Sequence, residues 1–157
     1  MTLYEGTRSI ELLCFGRGNT RGDAVVFLPR EHVVLTGDLL TYPIPFAFNA
    51  YLSEWIRALH QIRALGATTI VPGHGAPQSD TRYLDLVTRF LTFVRDETRR
   101  AVRANLTEEQ TAKRIDLAPW RSAFAQGDST VATMFDEYMP AAIQSGYDEA
   151  KHVTRHE

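Results

Sequence analysis

Cysteine is almost absent from this chain of 157 residues: Cys14 is the only one. An intramolecular disulfide is therefore impossible, and a zinc site built from several thiolates is excluded. Basic residues are not in excess either, with 17 Lys+Arg against 19 Asp+Glu and a formal net charge of −2. Neither that balance nor any run of side chains offers the positive surface that attracts nucleic acid or an anionic membrane. Long apolar runs are missing as well. The richest stretch, residues 39–52, is broken by Pro43 and Pro45, and it falls short of the ~20 apolar residues that cross a bilayer. The opening MTLYEGTRSIE has no basic stretch followed by an apolar core, so no secretory leader is expected. These absences predict a soluble, cytoplasmic protein with neither a nucleic-acid nor a membrane partner.

What remains fits an ordinary globular domain. Hydrophobic residues make up 44% and charged residues 23%, close to the averages for soluble proteins, and the length suits a single domain.

The first half reads as strands. Residues 9–15 (SIELLCF), 23–28 (DAVVFL) and 32–36 (HVVLT) are short, rich in β-branched and aromatic residues, and bounded by Gly and Pro. Residues 2–5 are placed to pair with 9–15 across Gly6-Thr7-Arg8. TTIV at 68–71 is a further strand, and it follows a helix over about 49–65 on which Leu52, Trp55, Ile56, Leu59 and Ile62 share a face. Gly66 lies where a left-handed residue ends that helix. From Ser79 the spacing turns helical and stays so. Tyr83, Leu84, Val87, Phe90, Leu91 and Val94 make an apolar stripe on a helix reaching about Asn105. Thr107 with Gln110 has capping-box spacing, Pro119 suits the opening of another turn, and Asp128 or Ser129 would cap a helix over about 130–156 that Pro140 divides. The reading is an α/β chain: a β-rich core over 1–78 with a mixed, mostly antiparallel sheet, then a helical extension over 79–157.

Three Gly-containing loops each follow a predicted strand: Gly16–Asp23 (GRGNTRGD), Thr36-Gly37-Asp38, and Val71-Pro72-Gly73-His74-Gly75. Glycine lets the backbone turn sharply and present a polar side chain at a sheet edge. Polar groups converging from several strand ends form a common site architecture. Singly, each loop is ordinary turn chemistry.

Together, their order and spacing resemble the second half of a metallo-β-lactamase-superfamily domain. The resemblance rests on GRGNTRGDAVVFLP, then HVVLTGDLL, then the helix around Trp55, then TTIVPGHG. It implies that Asp38, the aspartate of the GD loop, and His74, the histidine of PGHG, are metal ligands. Carboxylate and imidazole suit zinc. Where the family's loop normally carries a further histidine this chain has Asn19, a poorer zinc ligand that could contact metal or substrate instead. The His-x-His-x-Asp-His motif of the family's first half does not occur. His32, His60, His152 and His156 read as surface side chains.

The resemblance implies half of an αββα sandwich, a single truncated domain over 1–157 in which one sheet and its helices lack the facing sheet. AVVFL and VVL carry apolar residues on both faces, as strands covered on both sides do. A bare apolar sheet face usually marks an interface. The expected solution is a homodimer through the inner sheet face, a true twofold replacing the family's approximate one; the competing solution is the helical tail folding over that face. Two copies of Asp38 and His74 near the axis would supply four ligands of zinc-compatible type.

Smaller expectations follow from single residues. Cys14 reads as a buried core thiol, and Trp55 and Trp120 as packing anchors. Residues 39–48 read as a substrate-side flap or as interface or core filler. Arg17 and Arg21 read as contacts for an anionic substrate or as ordinary surface arginines, and Asp23 as structural in its loop. Three readings stand: a metal-dependent hydrolase of a small-molecule substrate with a degenerate or dimer-rebuilt zinc site, a non-catalytic homodimeric binding or structural module, and a half-enzyme completed by a separate chain. No substrate class or catalytic residue is legible.

Overall fold

Five strands lie in the order in which they occur in the chain, β1-β2-β3-β4-β5, in a computed structural model that describes residues 1–152. β1 (Thr2–Glu5) and β2 (Arg8–Leu13) form a hairpin, with Gly6 supplying a positive φ at the turn. β3 (Val25–Leu28) and β4 (Val33–Thr41) extend it in antiparallel fashion. β5 (Thr69–His74) then runs parallel to β4. That direction requires a crossover, and α1 (Leu52–Ala64) provides it. Gly66 has a φ of +67° just beyond the helix, the left-handed stop expected of it.

β4 is longer than its sequence pattern suggests. The strand continues through Gly37-Asp38 to Thr41, with register shifts against β5 on either side of Gly37. The reason is burial rather than propensity: Leu39, Leu40 and Thr41 are almost wholly enclosed, and pairing satisfies their backbone there. β5 likewise extends through Pro72 to His74. Asp38 and His74 thus stand on irregular strand ends rather than on free loops.

The helical part is α2 (Arg82–Arg103), α3 (Glu108–Arg114), α4 (Ala118–Ala125), α5 (Ser129–Tyr138) and α6 (Pro140–Ala150). Thr107 and Gln110 form the reciprocal capping box, Pro119 lies in the first turn of α4, and Asp128 accepts from the N–H groups of Thr130 and Val131 to cap α5. Pro140 opens α6 and divides the last helical stretch. His156 lies outside the described residues.

One face of the sheet is closed and the other is open. Leu13, Val25, Phe27, Val34 and Ile70 share a face, and all belong to or pack against the core with Trp55, Ile56 and Leu59 of α1. On the opposite face the register aligns Leu12, Val26, Leu35 and Val71 across four strands, flanked by Ile10 with Leu3 and by Leu28 with Val33. None of these eight residues is buried, and Leu35 and Leu3 are 37% and 46% exposed. The C-terminal helices do not cover this face: α2 packs on α1 and α6, and α6 on α3.

Trp55 is fully buried and donates its indole N–H to the Leu39 carbonyl at 2.9 Å, while Trp120 packs edge-on against Phe90 and beside Phe93. Both are anchors, as expected. Cys14 is a correction. It is exposed, because the chain leaves the sheet pairing at Leu13, one residue earlier.

Candidate metal centre

Antiparallel pairing puts the end of β2 and the start of β3 at the same sheet edge as the ends of β4 and β5. The three Gly-containing segments therefore meet at one rim. Asp38 Oδ1 lies 3.6 Å from His74 Nε2, with the side chains 50% and 62% exposed. The separation is too long for a hydrogen bond. Two donors each about 2.0–2.1 Å from a tetrahedral zinc would stand roughly 3.3–3.4 Å apart, so the pair fits two corners of such a site within a few tenths of an ångström.

Local sequence explains the approach. A Cβ on Gly73 would overlap Asp38 Oδ1 and stand 2.7 Å from the Gly37 carbonyl carbon. A Cβ on Gly75 would come within 2.7 Å of Tyr42 Cβ. The Tyr42 N–H donates to the His74 carbonyl at 3.0 Å, and the Phe46 ring meets the imidazole edge-on at 6.1 Å. His74 is held from its backbone and its ring at once.

The loop after β2 is pinned rather than free. Arg17 is salt-bridged to Glu54 and lies over the Tyr51 ring at 4.2 Å, and Arg21 Nε donates to the Tyr51 hydroxyl. The hydrogen bond from Arg17 holds the Glu54 carboxyl below the usual carboxylate range. These arginines hold the loop against the start of α1. Asp23 accepts from the N–H and hydroxyl of Thr20, the structural role expected of it. Gly18 is buried, and a Cβ there would run into Leu39 and approach Trp55. Asn19, half-buried, belongs to this pinned loop.

The segment after Asp38 is likewise no flap. Ile44 and Ala47 are fully buried. Ser145 of α6 accepts from the Ala50 N–H and donates to the Ala47 carbonyl. Glu149 accepts from the Ser53 N–H at the start of α1 and pairs with Arg99. The last helix thus ties the segment down.

Sequence reasoning missed the aromatic wall beside His74. Tyr138 of α5 packs edge-on against Phe46 and Phe48 at 5.5 and 5.7 Å, and Phe48 remains 48% exposed. Phe46 and Phe48 were visible in the PIPFAF run, but nothing local tied Tyr138 to them. His32 and His60 are exposed, and neither joins the rim pair. Among the described residues no group of three or more His, Cys, Asp or Glu side chains is placed to hold a metal. One chain thus supplies two corners of a site that needs three or four.

The sequence profile of the metallo-beta-lactamase superfamily matches residues 2–74, a span that includes both rim residues. Over these residues the chain resembles the metallo-β-lactamase superfamily. A metallo-beta-lactamase from Pontibacter korlensis is similar in structure, with a TM-score of 0.52 and 26% identity over 59% of this chain and 45% of that one. The metallo-beta-lactamase IND-7 shares the fold, with a TM-score of 0.51 and 20% identity over 59% of this chain and 44% of that one. The chain therefore spans less than half the length of the solved metallo-β-lactamases it matches. No curated protein matches it significantly. Among the described residues no helix is long and apolar enough to cross a membrane.

Proposed function

We propose that Asp38 and His74 are half of a zinc-dependent hydrolase centre, completed when a second copy of the chain docks on the open sheet face. The observation that carries this reading is the 3.6 Å approach of a carboxylate and an imidazole at a sheet rim, enforced by a glycine whose Cβ the site cannot admit. The superfamily typically uses zinc, and this donor pair suits it. A bound zinc supplies Lewis acidity toward a carbonyl or phosphoryl oxygen and activates water. The chain's own part is to hold the ion and orient the imidazole through Phe46 and the Tyr42 N–H. Asn19 is proposed as a weak ligand or a contact for a small-molecule substrate.

The open face supports the second copy. Its apolar patch, four to five strands wide and about four residues long, measures roughly 20 by 13 Å. That is well under the roughly 800 Å² per partner of a standard interface, so apolar contact alone gives a weak dimer. Ligands shared across the twofold would add the missing affinity, because metal bound only by the dimer stabilises it by mass action. Both rims share one end only if the axis runs along the strands.

The second reading is a non-catalytic homodimeric module that keeps the half-fold. It is favoured by Asn19 standing in place of a histidine and by the two-donor set. Zinc titration by calorimetry, with a panel of ester, thioester, lactone and phosphoester substrates, separates them. The hydrolase reading expects one zinc per two chains and turnover lost in Asp38→Ala; a dimer without zinc uptake or turnover supports the module. Zinc uptake only on mixing with a chain that carries the His-x-His-x-Asp-His motif would assign the site to a mixed pair instead.

A further inference from the structure

On the helical side of Tyr42 a cleft of about 640 Å³ opens between the segment after β5, the first half of α2 and the end of α4. Its volume lies within the ~300–1,000 Å³ usual for small-molecule sites. Two aromatic rings form one wall: Tyr42 and Tyr83 meet edge-on at 5.1 Å. Tyr83 cannot turn away, because its hydroxyl donates to the Thr41 carbonyl and Phe124 packs against its ring at 6.1 Å. Leu86 and Pro77 extend the apolar lining.

The charged groups are two arginines and one aspartate, and they are not equivalent. Arg82 is paired with Asp80 through two nitrogens, at 2.8 and 2.7 Å. Arg89, two turns along α2, donates Nε to the Asp85 carbonyl at 3.3 Å and has no carboxylate in salt-bridge contact among the described residues. The nearby Asp85 side chain is bonded to Arg63 and Thr81. The Arg89 charge acts on Asp85 only at longer range, so among the described residues the cleft offers an apolar aromatic wall with a guanidinium at its rim that no carboxylate contacts directly. A guanidinium binds a carboxylate through two parallel hydrogen bonds.

We propose that this cleft binds a small aromatic carboxylate, its ring against Tyr42 and Tyr83 and its carboxylate on Arg89. The site adjoins the Asp38–His74 rim through Tyr42, whose backbone N–H donates to His74 and whose Cβ abuts Gly75. Occupancy is thereby coupled to the histidine's backbone. The proposal needs neither metal nor a second copy, so it stands or falls apart from the function proposed above.

The test is a titration of the ¹⁵N-labelled full chain with 2-naphthoate, and with the neutral 2-naphthylmethanol, followed by amide shifts. Saturable shifts centred on Tyr42, Gln78, Tyr83 and Arg89 are expected. Affinity should be at least about tenfold lower for the alcohol and for Arg89→Ala with naphthoate, the loss of one charged hydrogen-bonding group. Arg103→Ala, exposed at the far end of the same helix, should bind normally. No saturable shift at millimolar naphthoate would overturn the proposal. So would shifts centred on Val26 and Leu35, or equal affinity in Arg89→Ala.

Discussion

Gly73 and Asp38 are in such close apposition that the carboxylate occupies the space a side chain at position 73 would need. The rim pair exists because β5 carries no Cβ at that point. Gly73→Ala must push the two strand ends apart or strain both, at a cost of about 1–3 kcal/mol for overpacking. Zinc affinity measured by calorimetry should fall at least tenfold, while the circular dichroism spectrum keeps its native shape. Unchanged affinity would separate Asp38 from the metal site.

Ser145 bonds two backbone groups of the segment behind Asp38, and all three partners are buried. Ser145→Ala leaves the Ala50 N–H and the Ala47 carbonyl without that partner. Urea unfolding should show a loss of about 1–3 kcal/mol. A loss below about 0.5 kcal/mol would mean that the last helix does not hold this segment.

Much of this architecture was legible beforehand because it is local. The strands at 2–5, 9–15 and 23–28, the helix face of Trp55, the Thr107 capping box and the Pro140 break all depend on near neighbours in sequence. The approach of Asp38 to His74 was legible because each follows a predicted strand that ends at one sheet edge. What was not legible depends on distant contacts. Cys14 looks like a core residue until the pairing stops at Leu13. Arg17 and Arg21 look available until Glu54 and Tyr51, at the start of α1 and 37 and 30 residues away in sequence, claim them. The PIPFAF segment resembles a flap because its anchor, Ser145, lies 98 residues from Ala47.

Glu54 makes acid stability a readable quantity. Its carboxyl ionises below the ordinary value of 4.5, chiefly because Arg17 hydrogen-bonds to it. A depressed carboxyl contributes stability that is present above its unfolded value and lost as the pH falls through the folded one. Wild type should therefore lose stability below about pH 4.5 more steeply than Glu54→Gln, by up to about 1 kcal/mol for so exposed a pair. Melting curves between pH 6 and 3 check this, and parallel curves would remove the Arg17 contact from the account.

Cys14 is a built-in reporter at the end of β2, beside the sheet. It is the sole cysteine and exposed, one residue beyond Leu13. If a second copy covers the face, a thiol reagent should react more slowly at high protein concentration and with zinc present. A rate independent of both would place the interface elsewhere.

The most direct measurement of the central claim is sedimentation velocity with zinc and with chelator, on wild type, Asp38→Ala and His74→Ala. A shared site predicts a zinc-bound dimer in wild type, a shift toward monomer on adding chelator, and no zinc-induced dimer in either variant. Wild type in the same state with and without zinc, or a zinc-induced dimer that survives His74→Ala, would contradict it.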